Sequence, residues 1–199
     1  HFVQKLDWTL RDAKHDYDAV EVAILPPFTD LRSVQPLVEA DKMKMTYGAQ
    51  DLSRHTWGPF TGQISGAFLA KLGCTYVVCG HSERREHQHE TDEVVNHKVL
   101  SAFHHGLTPI LCVGESLREH EAGQTEWRIE QQLQAVFDAA GKHAFSGSVV
   151  AYEPVWAIGT GLTASPEQAQ AVHAFIRGEI AARDAKIADS LPLLSGGSV

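Results

Sequence analysis

Short apolar runs alternate with longer amphipathic stretches along the whole chain of 199 residues. The short runs have the length and composition of β-strands. Several are apolar almost without interruption, which is typical of parallel strands that are covered by helices on both faces. The predicted strands span residues 20–25, 45–50, 75–80, 109–114, 148–153 and 191–196.

The stretches between these runs have the apolar spacing of helices, as in residues 92–106 and 125–140. The best capped stretch follows Ser165, because Pro166 suits the first helical position and Gln168 can complete a capping box. Glycines that we expect to end helices are Gly73, Gly106 and Gly141.

A series of six βα units leaves two architectures, an open doubly wound sheet or a (β/α)8 TIM barrel. No GxGxxG motif follows the first strand, which weakens the dinucleotide-binding version of the open sheet. Polar residues recur where predicted strands end, and a barrel builds its active site there. We therefore predict an α/β protein with one partial barrel domain over residues 1–199. The strand-end residues are Asp51, His81, Glu83, Glu115 and Glu153.

The two ends of the sequence suggest that the barrel is incomplete in this chain. An eight-stranded barrel usually needs about 250 residues, and six strands would leave two exposed edges. The chain starts at His1 rather than at methionine and stops at "GGSV", residues 196–199. We expect the first and last strands to be missing and the natural protein to be longer at both ends.

The composition narrows the classes of partner and compartment. A formal charge of −8 argues against nucleic acid and anionic membranes, and no apolar run reaches the ~20 residues that span a bilayer. Three cysteines without a CxxC pair favour a reducing, cytoplasmic location. The histidines are adjacent or alternating rather than spaced for ligation, so we expect no metal.

One carboxylate combines unusual neighbours. Glu153 ends a buried strand and is followed by Pro154, by an apolar segment and by Gly159 and Gly161. Moving a proton between adjacent carbons of a hydroxy-carbonyl compound needs a base and a donor that steadies the enediolate oxygens. Glu153 and His81 are the best placed candidates. A helix predicted to begin after His81 would disfavour a charged imidazole.

Three segments in this order closely resemble triosephosphate isomerases, most of all the bacterial ones: "CGHSERR" (79–85), "AYEPVWAIGTG" (151–161) and "GGSV" (196–199). Further matches are "YGAQD", "FTGQISGAFLAKLG" and "GLTPILCVGE". The resemblance implies a cofactor-independent isomerase of glycolysis and gluconeogenesis. Its substrates would be dihydroxyacetone phosphate and D-glyceraldehyde 3-phosphate, interconverted by proton transfer through an enediolate.

The resemblance also implies roles for single residues. Glu153 would move the proton and His81 would polarise the oxygens, while Ser82, Glu83 and Cys112 would support them. Amides matching Gly159 and Ser198 would bind the substrate phosphate, and Thr61 and Arg84 would contact the second subunit of a homodimer. The implied lid consists of Pro154, Val155, Trp156, Ala157, Ile158, Gly159, Thr160, Gly161, Leu162 and Thr163.

The chain departs from the family pattern in several places. The family's lysine would lie upstream of His1 and its second phosphate-binding glycine pair beyond Val199, so we expect the chain as given to be inactive or nearly so. Ser195 replaces a tyrosine that latches the closed lid. Gln63 replaces a glutamate of the subunit interface, and Leu162 replaces a basic lid residue.

Two other functions stay open from the residues. A barrel glycosidase could pair Glu153 with Glu83 or Glu115, and it would need an open cleft with stacking aromatic side chains. A phosphosugar-binding barrel without catalysis is the second alternative, because the family's lysine is absent from this chain.

Overall fold

The structure is a computed structural model that describes residues 1–197. Its sheet contains six strands, and each one lies inside a predicted strand or within a residue of it. The prediction of the strands is therefore confirmed, with their ends trimmed. The strands are β1 (Ala23–Ile24), β2 (Thr46–Ala49), β3 (Tyr76–Cys79), β4 (Thr108–Val113), β5 (Val149–Tyr152) and β6 (Leu193–Ser195).

Each strand pairs in parallel with the next one along the chain, in the order β1 to β6. A doubly wound sheet reverses the direction in which strands are added at a switch point, and this sheet does not. The chain therefore forms an incomplete (β/α)8 barrel, as predicted, and the open doubly wound sheet is excluded. Within residues 1–197, β1 and β6 are the two edges of the sheet.

Helices follow the strands on the outside of the sheet. The capping box at Ser165 and Gln168 is formed as predicted. Gly73, Gly106 and Gly141 follow helices with positive φ angles of 80°, 71° and 67°. The helices are α1 (Phe2–Asp12), α2 (Phe28–Ala40), α3 (Gly66–Lys71), α4 (Ser82–His87), α5 (Asp92–His104), α6 (Leu117–Glu121), α7 (Thr125–Ala140), α8 (Pro166–Ala181) and α9 (Ala185–Ser190), with 3₁₀ turns at Lys142–Phe145 and Val155–Ala157.

The main core lies between the sheet and the helices. Val77 of β3 and Val150 of β5 are fully buried, as are Ile129 of α7 and Ile176 of α8. This packing fixes the strands, so that the loops at their carboxyl ends are held in register. In the described part of the chain, no helix is both long enough and apolar enough to cross a membrane.

Candidate active site

Glu153 comes directly after β5, and it is a buried carboxylate with a relative exposure of 6%. Its backbone N–H donates to the carbonyl of Val113 at 2.8 Å, which continues the ladder between β4 and β5. The chain can approach so closely only because residue 114 is glycine, since a Cβ atom on Gly114 would lie 1.9 Å from the carbonyl oxygen of Glu153. The base candidate therefore stands on a rigid strand end.

His81 meets Glu153 at this edge of the sheet. It caps the N-terminus of α4, the helix that was predicted to begin after it. Its Nε2 lies 2.9 Å from Oε1 of Glu153, and the backbone N–H of Ser82 donates to Oε2 at 3.0 Å. The two candidates that the sequence predicts to act together, Glu153 and His81, are thus in direct contact.

The hydrogen bonds of His81 fix its tautomer. Its Nδ1 accepts from the backbone N–H of Glu83 at 3.3 Å, which leaves Nε2 to carry the proton and donate to Glu153. The hydrogen bond with Glu153 raises the pKa of His81 above its ordinary value of 6.5, and partial burial lowers it. In this position of Glu153, the carboxylate therefore opposes the expectation that the helix N-terminus keeps the imidazole uncharged.

The three supporting residues occupy different positions. Ser82 is buried, and its Oγ has no hydrogen-bond partner among residues 1–197. Glu83 is exposed and contributes its backbone N–H to His81. Burial, and then the charge of Glu153, raise the pKa of the Cys112 thiol far above its usual range. Cys112 is therefore a protonated thiol packed beside the base candidate.

Arg85 ties the ends of two strands together, although the sequence analysis gave it no role. Its Nε donates to the carbonyl of Gly80 at 2.7 Å and its Nη2 to the carbonyl of Cys112 at 3.3 Å. Its Nη1 pairs with Asp92 at 2.6 Å. These bonds hold the segments that carry His81 and Cys112 at a fixed separation.

A cavity of about 500 Å³ opens beside His81 at the carboxyl ends of β1 to β3. A cavity of this size accommodates a small metabolite. Its walls are both apolar and charged. The lining residues are Leu25, Pro27, Phe28, Gln50, Asp51, Val78, His81, Glu83 and Arg84.

The predicted lid has a packed half and an exposed half. Trp156 and Ala157 in the 3₁₀ turn are buried, whereas residues 159–163 are exposed. Gly159 and Gly161 have positive φ angles of 71° and 79°, which favour glycine. Ile158 packs against Gly197, where a Cβ atom would lie 3.0 Å from Ile158 Cγ1. The lid therefore touches the glycine turn that follows β6.

Glu115 is fully buried beneath the packed half of the lid. It accepts from the hydroxyl groups of Tyr152 and Thr125, each at 3.2 Å. Burial and this carboxylate raise the pKa of Tyr152. Because Glu115 is at 0% exposure, it cannot reach a sugar in an open cleft, and the glycosidase alternative loses one of its two carboxylate pairs.

His120 contacts this buried group, and sequence reasoning missed it. Its Nδ1 lies 3.3 Å from Oε1 of Glu115. Its ring stacks on Trp156 of the lid with a centroid separation of 4.2 Å and an angle of 16°. No spacing in the sequence indicates this contact, because His120 and Trp156 lie on separate elements.

A second charged group, the Lys98 cluster, consists of Asp51, Arg84, Glu90 and Lys98. Lys98 Nζ pairs with Asp51 and Glu90, each at 2.5 Å. Arg84 pairs with Glu90 at 2.7 Å and with Asp51 at 3.0 Å. Burial raises the pKa of Asp51 although Lys98 and Arg84 oppose this effect. Arg84, expected at a subunit interface, is therefore already paired within its own chain.

The other residues singled out from the sequence that the structure describes lie outside the Glu153–His81 contact. Thr61 lies in an exposed turn, and Leu162 is 50% exposed. Ser195, which replaces the latch tyrosine, lies 3.1 Å from Nε2 of His173 through its Oγ. Ser198 lies outside the described residues. Among residues 1–197, no group of three or more His, Cys, Asp or Glu side chains is placed to hold a metal ion.

An acid and an imidazole meet at the carboxyl ends of parallel strands, beside a cavity and a glycine-containing lid. This arrangement defines a (β/α)8-barrel enzyme. The family model of triosephosphate isomerase matches residues 1–199. The chain therefore belongs to the triosephosphate isomerase family.

Curated relatives agree with this family. The chain is 56% identical to a triosephosphate isomerase of Streptomyces coelicolor over 99% of its own length and 76% of the relative. The corresponding values for the Mycobacterium avium protein of that name are 54%, 99% and 75%. For the Xanthomonas euvesicatoria protein they are 53%, 92% and 72%. The chain thus spans about three quarters of these relatives.

Proposed function

We propose that this protein interconverts dihydroxyacetone phosphate and D-glyceraldehyde 3-phosphate. The observation that carries the proposal is the contact between Glu153 and His81, whose Oε1 and Nε2 atoms are 2.9 Å apart. A carboxylate can accept a proton from carbon, and a neutral imidazole can donate a hydrogen bond to an adjacent oxygen. The isomerisation needs these two groups next to each other.

The proton transfer follows from these roles. Glu153 removes a proton from the carbon next to the carbonyl group, and the electron pair of the broken C–H bond forms the enediolate. His81 Nε2–H donates a hydrogen bond to the oxygens, which carry the negative charge. The proton of the substrate's hydroxyl group moves to the former carbonyl oxygen, and Glu153 returns a proton to the carbon that bears this oxygen. The carbonyl and hydroxyl groups have then exchanged places. The substrate is neither oxidised nor reduced overall, so the step requires no cofactor.

The contacts of Glu153 describe a resting position. Its oxygens are occupied by His81 Nε2–H and by the Ser82 N–H, so the carboxylate must leave both donors to reach a substrate. Its departure frees Nε2–H for the substrate oxygens. It also removes the carboxylate that raises the pKa of His81, which favours the neutral ring. Movement of one side chain thus prepares both groups for the reaction.

The lid and two amides would hold the substrate phosphate. The residues proposed for this role are Gly159 and Ser198, and the role of Ser198 rests on the resemblance alone. Backbone N–H groups bind phosphate without a cationic side chain, which suits a chain with a formal charge of −8. The positive φ angle of Gly159 and the exposure of residues 159–163 leave this part of the lid free to close.

A homodimer is supported by exposed aromatic side chains near Thr61. Trp57 and Phe68 have relative exposures of 86% and 61%, and Phe60 stacks on His55 with a centroid separation of 3.6 Å. Exposed apolar patches of this kind are typical of protein interfaces. We propose that the Thr61 loop contacts the second subunit, and that Arg84 supports this interface from the Lys98 cluster.

We further propose that the chain forms a single domain, that the protein is located in the cytoplasm, and that it acts in glycolysis and gluconeogenesis. One large hydrophobic cluster joins side chains from α2 to Leu191, directly after α9, which supports a single domain. Cys74, Cys79 and Cys112 are all buried free thiols, as expected in a reducing compartment. The pathways follow from the proposed substrates.

The test is an isomerase assay on the complete gene product in D₂O. We expect dihydroxyacetone phosphate to be converted, with deuterium from the solvent on the carbon that receives the proton. Glycerol 3-phosphate, which has no carbonyl group, should inhibit competitively. Binding of dihydroxyacetone phosphate without conversion would favour the non-catalytic phosphosugar-binding barrel. Conversion that is undiminished in Glu153→Gln would contradict proton transfer through this base.

A further inference from the structure

His120 touches the lid and a buried acid at the same time, although no role is assigned to it above. It lies in α6, which is fixed by a capping box in which Ser116 and Glu119 bond to each other's backbone N–H groups at 2.8 and 3.3 Å. Its ring stacks on Trp156 in the packed half of the lid. The side chain of His120 is one-third exposed, so solvent protons can reach it.

While the face of the His120 ring stacks on Trp156, one edge of the ring faces Glu115. The distance from His120 Nδ1 to Glu115 Oε1 is 3.3 Å, and Glu115 also accepts from the hydroxyl of Tyr152. Tyr152 directly precedes Glu153 in the chain. Contacts therefore run from the lid through His120 and Glu115 to the strand end that carries the base candidate.

The charge around His120 is dominated by Glu115. The lid contributes only the uncharged indole of Trp156, and β5 contributes the hydroxyl of Tyr152. Arg128 of α7 is occupied by Asp92 at 2.8 Å and by Glu119 at 3.6 Å. Thr125 of α7 donates to Glu115 at 3.2 Å, and the charged residues on the same helix as His120 are Arg118, Glu119 and Glu121.

We propose that His120 is a positioning residue for the lid, acting through Trp156, and that a proton on its ring favours the lid position described above. A charged imidazole over an indole gains a cation–π attraction, and its bond to Glu115 becomes charge-assisted. A ligand that draws Trp156 away from His120 must break these contacts. Ligand binding should therefore weaken when the His120 ring carries a proton. The effect on ligand binding rests on the proposed function of the lid.

The first test measures the dissociation constant of glycerol 3-phosphate between about pH 5.5 and 8, where histidine titrates. The complete gene product is compared with His120→Phe, which stacks without a charge, and with His120→Arg, which keeps the charge throughout. Dividing the wild-type constant by that of His120→Phe cancels the ionisation of the ligand phosphate and of His81. Unfolding temperatures of both variants establish that they are folded.

We expect the wild-type to His120→Phe ratio to rise about three- to tenfold toward the acidic end, as cation–π strengths imply. The His120→Arg to His120→Phe ratio should stay near the acidic wild-type value throughout. A wild-type ratio that is flat within about twofold, or that falls toward low pH, would overturn the proposal, since a merely structural role gives no pH dependence.

The second test needs no ligand, so it separates this inference from the proposed function. Every tryptophan other than Trp156 is replaced by phenylalanine, and the emission of Trp156 is followed over the same pH range. We expect a titration that disappears in His120→Phe. If glycerol 3-phosphate fails to bind but the titration is present, the proposed function fails while the His120 assignment stands. A titration unchanged in His120→Phe would overturn the assignment.

Discussion

The Lys98 cluster and the Glu153–His81 pair both bury carboxylates at the carboxyl ends of the strands, but they compensate the charge differently. In the Lys98 cluster, Asp51 and Glu90 face two permanent cations at distances of 2.5 to 3.0 Å. Glu153 has no such partner within residues 1–197, because its contacts are a histidine and a backbone N–H.

Because of this difference in charge compensation, we expect the Lys98 cluster to be fixed and the carboxylate of Glu153 to be movable. Two buried acids with two cations form a set in which the loss of any member leaves an unpaired charge, so the set is rigid. A carboxylate held by an imidazole and an amide can exchange these donors for others at a small cost in free energy. We infer that the Lys98 cluster stabilises the loops and helices that follow β2 and β3, whereas the Glu153–His81 pair can rearrange during a reaction.

Removing Lys98 should have the largest effect on stability. Lys98→Met should lower the free energy of unfolding by about 3–5 kcal/mol, because it leaves Asp51 and Glu90 buried without their shared cation. Chemical denaturation measures this change. Lys71→Met, on the exposed end of α3, is the matched control and should change stability by less than about 0.5 kcal/mol. Equal effects of the two substitutions would show that the cluster is not a structural unit.

Changing His81 should affect the chemistry instead. His81→Gln is expected to slow isomerisation by about 100-fold or more, because the side chain loses the imidazole donor while an amide keeps similar polarity. Binding of glycerol 3-phosphate should change little, since the phosphate is held elsewhere. Steady-state kinetics and a binding titration separate the two effects. Unchanged turnover would remove His81 from the mechanism.

The smallest expected effect concerns the pKa of His81, followed by NMR titration of its ring. Glu153→Gln should lower this pKa, because the carboxylate is the largest cause of its rise. In the wild-type protein the raised pKa stabilises the fold below the ordinary value of 6.5, and this stabilisation is lost as the pH rises through the folded-state pKa. Glu86→Gln changes an exposed side chain on α4 and should leave the pKa of His81 unchanged. If the pKa of His81 does not fall in Glu153→Gln, the carboxylate of Glu153 is not the cause of its rise.

Much of the fold could be predicted from the sequence. Buried parallel strands are almost continuously apolar, so each can be recognised without knowing which strands lie beside it. The encounter of Glu153 with His81 was also predictable. Glu153 ends one predicted strand and His81 directly follows another, and the carboxyl ends of parallel strands meet at one end of the sheet. The capping box at Ser165 was predictable because all its atoms lie within one turn.

Contacts between side chains on different elements could not be predicted. Lys98 lies on α5, where its position resembles that of any surface lysine, and only the folded chain shows that it is buried between two acids. The stacking of His120 on Trp156 depends in the same way on how α6 meets the lid.

The most direct test of the central claim compares the turnover of Glu153→Gln with that of Glu86→Gln in the complete gene product. Both substitutions remove one carboxylate and keep the size of the side chain, but only Glu153 is assigned to the proton transfer. We predict that Glu153→Gln loses at least about 10²-fold in turnover while it remains folded at the assay temperature, whereas Glu86→Gln stays close to wild type. Similar turnover in the two variants would contradict it.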